Sequence, residues 1–184
     1  MALRLASLAV ASILSLVLVT AGLASHLKTG ARLGVLTIPR LKIATPVDQC
    51  GLDCFTKAWP PELASGPGHY PGTQLPWQKG LSVLSGHRTT YTHPFRWINK
   101  LHKGDRIIWT VHHVHYLYRV TGMRIVHPRD FSTLGLHAVK VPGGWTLTPN
   151  SNKGHRLVLV ACHPPHYASH RIAVLAKLVA ERPV

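Results

Sequence analysis

LVLVACHPPHYASHRIAVLA, residues 157–176, contains two apolar runs separated by a short polar stretch. The first run ends at Cys162, and the second begins directly after Arg171. Near-continuous apolar runs of this kind are typical of strands that are buried on both faces. The stretch therefore predicts two buried strands that present a thiol and a guanidinium where each strand meets a polar segment.

A third reactive side chain follows another apolar run, LSVLSGHRTTY, residues 81–91, which contains His87. A thiolate is the reactive form of cysteine, and a neighbouring imidazolium or guanidinium favours it. A placed imidazole contributes about 10²–10⁴-fold through proton transfer, and Arg offers planar donors to developing negative charge. If one cleft gathers these groups, Cys162, His87 and Arg171 form a catalytic set for thiol-based acyl transfer.

Further strand patterns extend over most of the chain after residue 35. GVLTIPRLKIATPV, residues 34–47, predicts a bent strand pair broken at Pro39. RIIWTV and YLYRVTGMRIV predict two strands joined by a turn over residues 112–115, which has no Gly, Asn or Asp. Phe95, Ile98 and Leu101 recur at helical spacing and predict a short helix. Seven or eight short strands with one or two short helices favour an all-β closed barrel.

The first 25 residues differ from the rest. Residues 5–25 carry no charge and are long enough to cross a bilayer as a helix, so residues 1–25 are predicted to be a transmembrane signal anchor. The small residues at 22–25 also resemble a cleavage site, which leaves a removable signal peptide open. Residues 26–34 are predicted to be a linker, and residues 35–184 the catalytic domain. Basic residues are more numerous after the apolar stretch than before it, which by itself favours a cytoplasmic body.

The chain is strongly basic, with 21 Lys and Arg against six Asp and Glu and a formal charge of +15. This charge favours polyanionic partners. The basic residues are scattered, and the sequence has no basic helix, no interleaving of aromatic and basic residues and no zinc-finger spacing, so no nucleic-acid partner is predicted. Anionic lipid and cell-wall polymer suit a membrane-tethered protein better.

The three cysteines differ in their surroundings. Cys50 and Cys54 in CGLDC are close enough for a small disulfide loop in an oxidising compartment, although two reduced thiols are the alternative. Pairing them leaves Cys162 as the odd free thiol. Fourteen histidines are present, but those near Cys162 do not have the spacing of a structural zinc site, and no metal or cofactor is predicted.

Four segments together resemble the sortases, the surface-protein transpeptidases of Gram-positive bacteria: GPGHYPGTQLPWQKGLSVLSGHRTTYTHPF, GDRIIWTV, YRVTGMRIVHPRD and LVLVACHPPHYASHRIAVLA. The similarity is closest to the class E type of high-GC actinobacteria and covers residues 35–179. It implies a closed eight-stranded β-barrel behind an N-terminal membrane anchor, with the catalytic domain outside the cytoplasm.

The resemblance also implies roles for individual residues. Cys162 would cleave the Thr-Gly bond of a LAxTG- or LPxTG-like sorting signal and form a thioacyl enzyme. An amine of a peptidoglycan stem peptide would then resolve this intermediate. His87 would act as general acid and base, and Arg171 would stabilise the oxyanion or hold the substrate backbone. The implied partners are secreted proteins that bear sorting signals, the cell-wall amine and the membrane.

Four more positions are predicted to bind substrate. Tyr91 matches a tyrosine typical of class E enzymes that helps set the preference for LAxTG, with a packing role as the alternative. Thr89 and Thr90 would line the same wall, and Ala161 stands where the family usually has Thr before the cysteine. His69, within GPGHYPG, is predicted to be structural. The Ala161 departure and the high charge leave a second hypothesis, a weakly active or inactive sortase-like scaffold that binds the envelope.

Overall fold

The computed structural model describes residues 27–51, 63–141 and 144–184. The predicted anchor at residues 1–25 and the predicted disulfide partner Cys54 lie outside these ranges. Within them, no helix has both the length and the apolar character needed to cross a bilayer. Cys50 is disulfide-bonded, and Cys162 is a free thiol.

The described residues form ten strands and three 3₁₀ helices. The 3₁₀ helices are Pro39–Leu41, Ile98–Lys100 and Ser132–Leu134. The strands are β1 Arg32–Ile38, β2 Ile43–Gln49, β3 Gly68–His69, β4 Gly80–Ser85, β5 Arg106–Val111, β6 Val114–Val126, β7 Leu136–Val141, β8 Gly144–Pro149, β9 His155–His163 and β10 His170–Pro183.

Eight of these strands close into a barrel in the order β1-β2-β3-β4-β9-β10-β6-β5, and β7 and β8 form a separate two-stranded sheet. The prediction of an all-β closed eight-stranded barrel is therefore confirmed. β4 and β9 run parallel, whereas β9 and β10 run antiparallel. This arrangement sets β9 between the strand that precedes His87 and the strand that contains Arg171.

Alternation along β9 separates two cores. Leu157, Leu159 and Ala161 belong to the barrel interior, because successive strand residues point to opposite faces. Val158 and Val160 face outward and pack with residues of the β7–β8 sheet in a second cluster. Both faces of β9 are thus buried over most of its length, which explains its unbroken apolar sequence.

Several local predictions are corrected by the structure. β1 begins at Arg32, inside the stretch assigned to the linker. The predicted helix is reduced to the 3₁₀ helix Ile98–Lys100. The turn between β5 and β6 consists of His112 and His113 alone, which have positive φ values of 47° and 62°, as a two-residue type I′ hairpin requires.

Candidate active site

Two of the three predicted catalytic residues are partners across neighbouring strands, and the third follows the strand on the other side of β9. In the antiparallel pair of β9 and β10, Cys162 is directly opposite Arg171. In the parallel pair of β4 and β9, Ser85 is the partner of Val160, and His87 lies two residues beyond the end of β4 on a backbone that is still bonded to β9 at Gly86. Since neighbouring strands are about 4.8 Å apart, residues 75 positions apart in sequence become neighbours.

The end of β4 is shaped by a close approach of an aromatic ring. A Cβ atom at Gly86 would lie 2.6 Å from Cδ2 of Phe95, and Phe95 is fully buried. The Phe95 amide donates a hydrogen bond to the His87 carbonyl at 3.0 Å, and the Gly86 amide donates to the Val160 carbonyl at 3.0 Å. These contacts fix the backbone of His87 against β9.

Cys162 occupies the last part of β9, where burial ends. Its side chain is partly exposed, whereas Ala161 before it is 3% exposed. Cys162 shares the outward face with Val158 and Val160, since these residues alternate with interior ones. The sulfur is therefore open to a substrate on the outer surface of the barrel.

Arg171 is the second residue of β10, and its side chain is hydrogen-bonded to the backbone just before it. Its Nη1 donates hydrogen bonds to the carbonyl oxygens of Ala168 at 2.9 Å and His170 at 3.1 Å. Directly opposite residues of an antiparallel pair point to the same face, so Arg171 and Cys162 share a face. A guanidinium has five N–H donors, more than these two carbonyls use.

His87 is half-buried next to Tyr91. The centroids of the two rings are 5.2 Å apart, and Tyr91 is itself 47% exposed. Burial lowers the pKa of His87 below its usual value of 6.5. Burial thus favours the neutral imidazole, the form that is able to accept a proton.

A second guanidinium, that of Arg88, was not identified from the sequence. Arg88 is only 4% exposed. Its Nη1 donates to Nδ1 of His163 at 3.1 Å, and its Nη2 donates to Oδ1 of Asn99 at 2.8 Å and to the Arg96 carbonyl at 3.3 Å. Burial lowers the pKa of Arg88, and the charge of nearby Cys162 raises it.

The hydrogen bonds of Arg88 hold its positive charge in a fixed position near the Cys162 thiol. Burial lowers the pKa of His163, and Arg88 and His170 lower it further. A neutral His163 with a free lone pair on Nδ1 fits its role as acceptor for Arg88. The sequence signal for this arrangement is weak, because an Arg after a catalytic His is indistinguishable from a surface charge.

The predicted substrate-binding residues fall into two groups. Thr89 and Thr90 are half-buried and follow His87 in the same loop as Tyr91. The side chain of Ala161, in contrast, lies in the barrel interior, where its partner across the strands is Ile172. Alternation places the side chain of Ala161 on the face opposite Cys162, so its predicted role in substrate binding stays a prediction that the position of its side chain does not favour.

His69 lies in the structural position that was predicted for it. Its ring is 2% exposed, and its Nδ1 is 2.9 Å from Oε1 of Gln49. Its Nε2 is 3.1 Å from Oγ1 of Thr73 and 3.1 Å from the Gln74 carbonyl. The side chain thus connects β2, β3 and the loop before β4, away from Cys162.

Comparison with known proteins agrees with this geometry. Residues 36–179 match the family model described as the sortase domain. The chain belongs to the sortase family. Sortases are cysteine transpeptidases that anchor proteins to the cell wall, and this sortase has a free, partly exposed thiol at Cys162.

Two curated relatives are 29% identical to this sortase. Sortase D of Bacillus subtilis (strain 168) aligns over 143 residues, 78% of this chain and 60% of that protein. The sortase SrtE1 of Streptomyces coelicolor aligns over 160 residues, 84% of this chain and 42% of that protein. The chain thus spans less than two thirds of the length of either relative.

Two solved structures are similar along nearly their whole length. A threonine-to-valine mutant of sortase E from Streptomyces avermitilis is 30% identical, with a TM-score of 0.64, and the match covers 85% of this chain and 93% of that one. Sortase E1 from Streptomyces coelicolor, solved with a tripeptide in its active site, is 28% identical with a TM-score of 0.63, covering 84% and 91%.

Proposed function

We propose that this sortase cleaves a LAxTG- or LPxTG-like sorting signal between Thr and Gly and transfers the protein to an amine of the cell wall. The observation that supports this most directly is the pairing of Cys162 with Arg171 across β9 and β10, with His87 two residues beyond the end of β4, the other neighbour of β9. The similarity to sortase E structures favours a class E type of enzyme. In this proposal, residues 1–25 anchor the enzyme in the cell membrane with the barrel outside the cytoplasm.

The first half of the reaction forms a thioester. The sulfur of Cys162 attacks the Thr carbonyl carbon, and neutral His87 takes the thiol proton. Arg171 donates hydrogen bonds to the carbonyl oxygen while that oxygen becomes negative. Fixed donors lower a reaction barrier most when they point at an atom on which charge develops. His87 then gives its proton to the Gly nitrogen, the C–N bond breaks, and the amine-bearing fragment leaves.

The second half reverses the proton path. An amine of a cell-wall peptide attacks the thioester carbon, and His87 accepts the proton that this nitrogen loses. The C–S bond breaks, an amide bond forms, and His87 returns its proton to the departing sulfur, so that Cys162 is again a thiol and His87 is again neutral. The buried cation of Arg88 stabilises negative charge on the sulfur whenever it is a leaving group or a thiolate.

The test is mass spectrometry of the products that the full chain forms with a LAxTG peptide and a diamine acceptor. We expect a shortened peptide joined to the diamine. Cys162→Ala should abolish this product while the protein unfolds in urea at the wild-type midpoint. Turnover at the wild-type rate in Cys162→Ala would refute the assignment.

The scaffold hypothesis predicts a different result. A thiol-reactive analogue of the sorting signal should modify Cys162 selectively if the site is catalytic, because a placed and activated thiolate reacts faster than an ordinary one. Labelling of Cys162 no faster than labelling of the urea-unfolded chain would favour the scaffold.

A further inference from the structure

Four basic residues lie directly opposite one another across four strands of the barrel. Arg106 of β5 pairs with Arg119 of β6, Arg119 pairs with Lys177 of β10, and Lys177 pairs with Arg156 of β9. We call these four residues the basic row. At about 4.8 Å per strand, the row extends about 14 Å around the barrel.

The basic row points away from the barrel interior. The residues that flank its members along each strand belong to the interior core: Ile107, Tyr118, Val120, Ala176 and Leu157. Alternation therefore turns the row itself outward. Arg106, Arg119 and Lys177 are exposed, and Arg156 is half-buried.

Like charges directly opposite each other destabilise a sheet, and acidic side chains do not compensate the row. Of the four acidic residues in the described ranges, three bind side chains outside the row, and the fourth, Glu181, lies four positions from Lys177 along β10. Asp48 pairs with Arg32, Asp105 with Arg40 at 3.3 Å, Asp130 accepts hydrogen bonds from Ser132 and Thr133, and Glu181 is opposite Tyr116. The row thus retains a concentrated positive charge, and a bound anion would reduce the repulsion between its members.

The row shares the outer face with the reactive thiol. Arg156 and Cys162 are both outward residues of β9, six positions and therefore about 20 Å apart. A chain bound along the row would lie on the same side of the barrel as the catalytic residues, without covering Cys162.

We propose that the basic row binds a flexible phosphodiester polyanion of the polyol phosphate kind. A chain with one negative charge per repeat can follow the curve of the barrel and contact the three exposed residues, with half-buried Arg156 at one end of the row. Arg119 and Arg156 each donate one hydrogen bond to a backbone carbonyl, of Gly104 at 2.8 Å and of Ser151 at 2.6 Å, and each has further N–H donors. A flat bilayer cannot contact all four residues at once, because four of the eight strands cover more than a third of the circumference of the barrel. Among the described residues, no aromatic side chain occupies the row or the next outward position on its strands, so bases would have no platform on which to stack.

The experiment measures binding of fluorescent poly(glycerol phosphate) to the full chain in micelles of a non-ionic detergent. The test variant combines Arg106→Gln, Arg119→Gln and Lys177→Gln. The control combines Lys28→Gln, Lys42→Gln and Lys140→Gln, which removes the same charge from exposed positions outside the row. The single change Lys177→Gln gives a second measurement if the triple variant folds poorly.

We expect the row variant to bind at least about tenfold more weakly at low salt and the control less than about twofold. The slope of log K against log[salt] should fall by roughly two, as for three lost phosphate contacts on a single strand. Equal losses in both variants would show that only net charge matters and would overturn the proposal. Tighter binding of oligo(dT), or full displacement of the polymer by phosphatidylglycerol at equal phosphate, would also overturn it. Binding needs no turnover, so this result is separate from that of the peptide assay.

Discussion

Lowering the pH from 7.5 to 4.5 should weaken the fold through one buried imidazole, that of His69. Its ring is 2% exposed and lies between Gln49 on one side and Thr73 and Gln74 on the other. Burial lowers the pKa of His69 from 6.5 to about 4, although the hydrogen bonds to the 73–74 segment act in the opposite direction. The folded protein therefore keeps this ring neutral over a pH range in which the unfolded chain protonates it.

The size of the effect follows from that difference. One pKa unit is worth about 1.36 kcal/mol, so a change from 6.5 to about 4 corresponds to a limit of about 3.4 kcal/mol. Because the folded pKa is the lower one, the stabilisation is fully present above pH 6.5 and is lost as the pH falls towards 4. Linkage over the interval from pH 7.5 to 4.5 gives a loss of about 2.5 kcal/mol from His69 alone.

The assay is urea unfolding at both pH values, followed by tryptophan fluorescence, for the wild-type chain and for His69→Gln. Other groups also titrate in this interval, so the informative quantity is the difference between the two proteins. We expect His69→Gln to be less stable at pH 7.5 but to lose about 2.5 kcal/mol less on acidification. An identical pH-dependent loss in both proteins would show that His69 is not held neutral by burial and would refute the reasoning.

Two predictions concern the active site. Arg88→Gln should slow alkylation of Cys162 by iodoacetamide at pH 7 by about tenfold, because losing the charge costs on the order of 1–2 kcal/mol at intermediate dielectric. Arg88→Lys keeps the charge and should retain most of the rate. Equal rates in the two variants would show that the charge is unimportant. Tyr91→Ala should expose His87, raise its pKa towards 6.5 and move the acid limb of the kcat/KM profile to higher pH. Tyr91→Phe, which keeps the ring, should leave that limb in place, and a limb unchanged in Tyr91→Ala would contradict the assignment.

The barrel was predictable because its strands are marked by local patterns. Apolar runs, Pro breaks and turn positions identify most of the strands, and the resemblance supplied their closure. The β7–β8 sheet was not predicted, since its strands at Leu136–Val141 and Gly144–Pro149 mix polar and apolar residues. The His112-His113 turn lacks the Gly, Asn or Asp that usually marks such a turn, and its two positive φ values follow from the hairpin geometry and not from residue preference.

The site was predictable only in part, for a reason visible in LVLVAC. Every residue of this run is apolar or small, and the β7–β8 sheet covers the outer face of β9. A strand buried on both faces shows no alternation that would mark the inner side. Ala161 was predicted to contact substrate only because it precedes Cys162 in the sequence. In the structure its side chain points into the barrel.

The two guanidinium groups near Cys162, those of Arg88 and Arg171, differ in burial and therefore suit different roles. Arg88 is buried and hydrogen-bonded through both terminal nitrogens to side-chain and backbone acceptors. Its charge therefore has a fixed position and is poorly screened by water. Arg171 is bonded through Nη1 to the carbonyls of an exposed loop, and a substrate can approach it directly. A fixed buried cation suits a charge that recurs on the sulfur, whereas an accessible one suits an oxyanion that exists only with substrate bound. The register of β9 and β10 sets Arg171 opposite Cys162, whereas Arg88 is held near the thiol by its hydrogen bond to His163, the next residue.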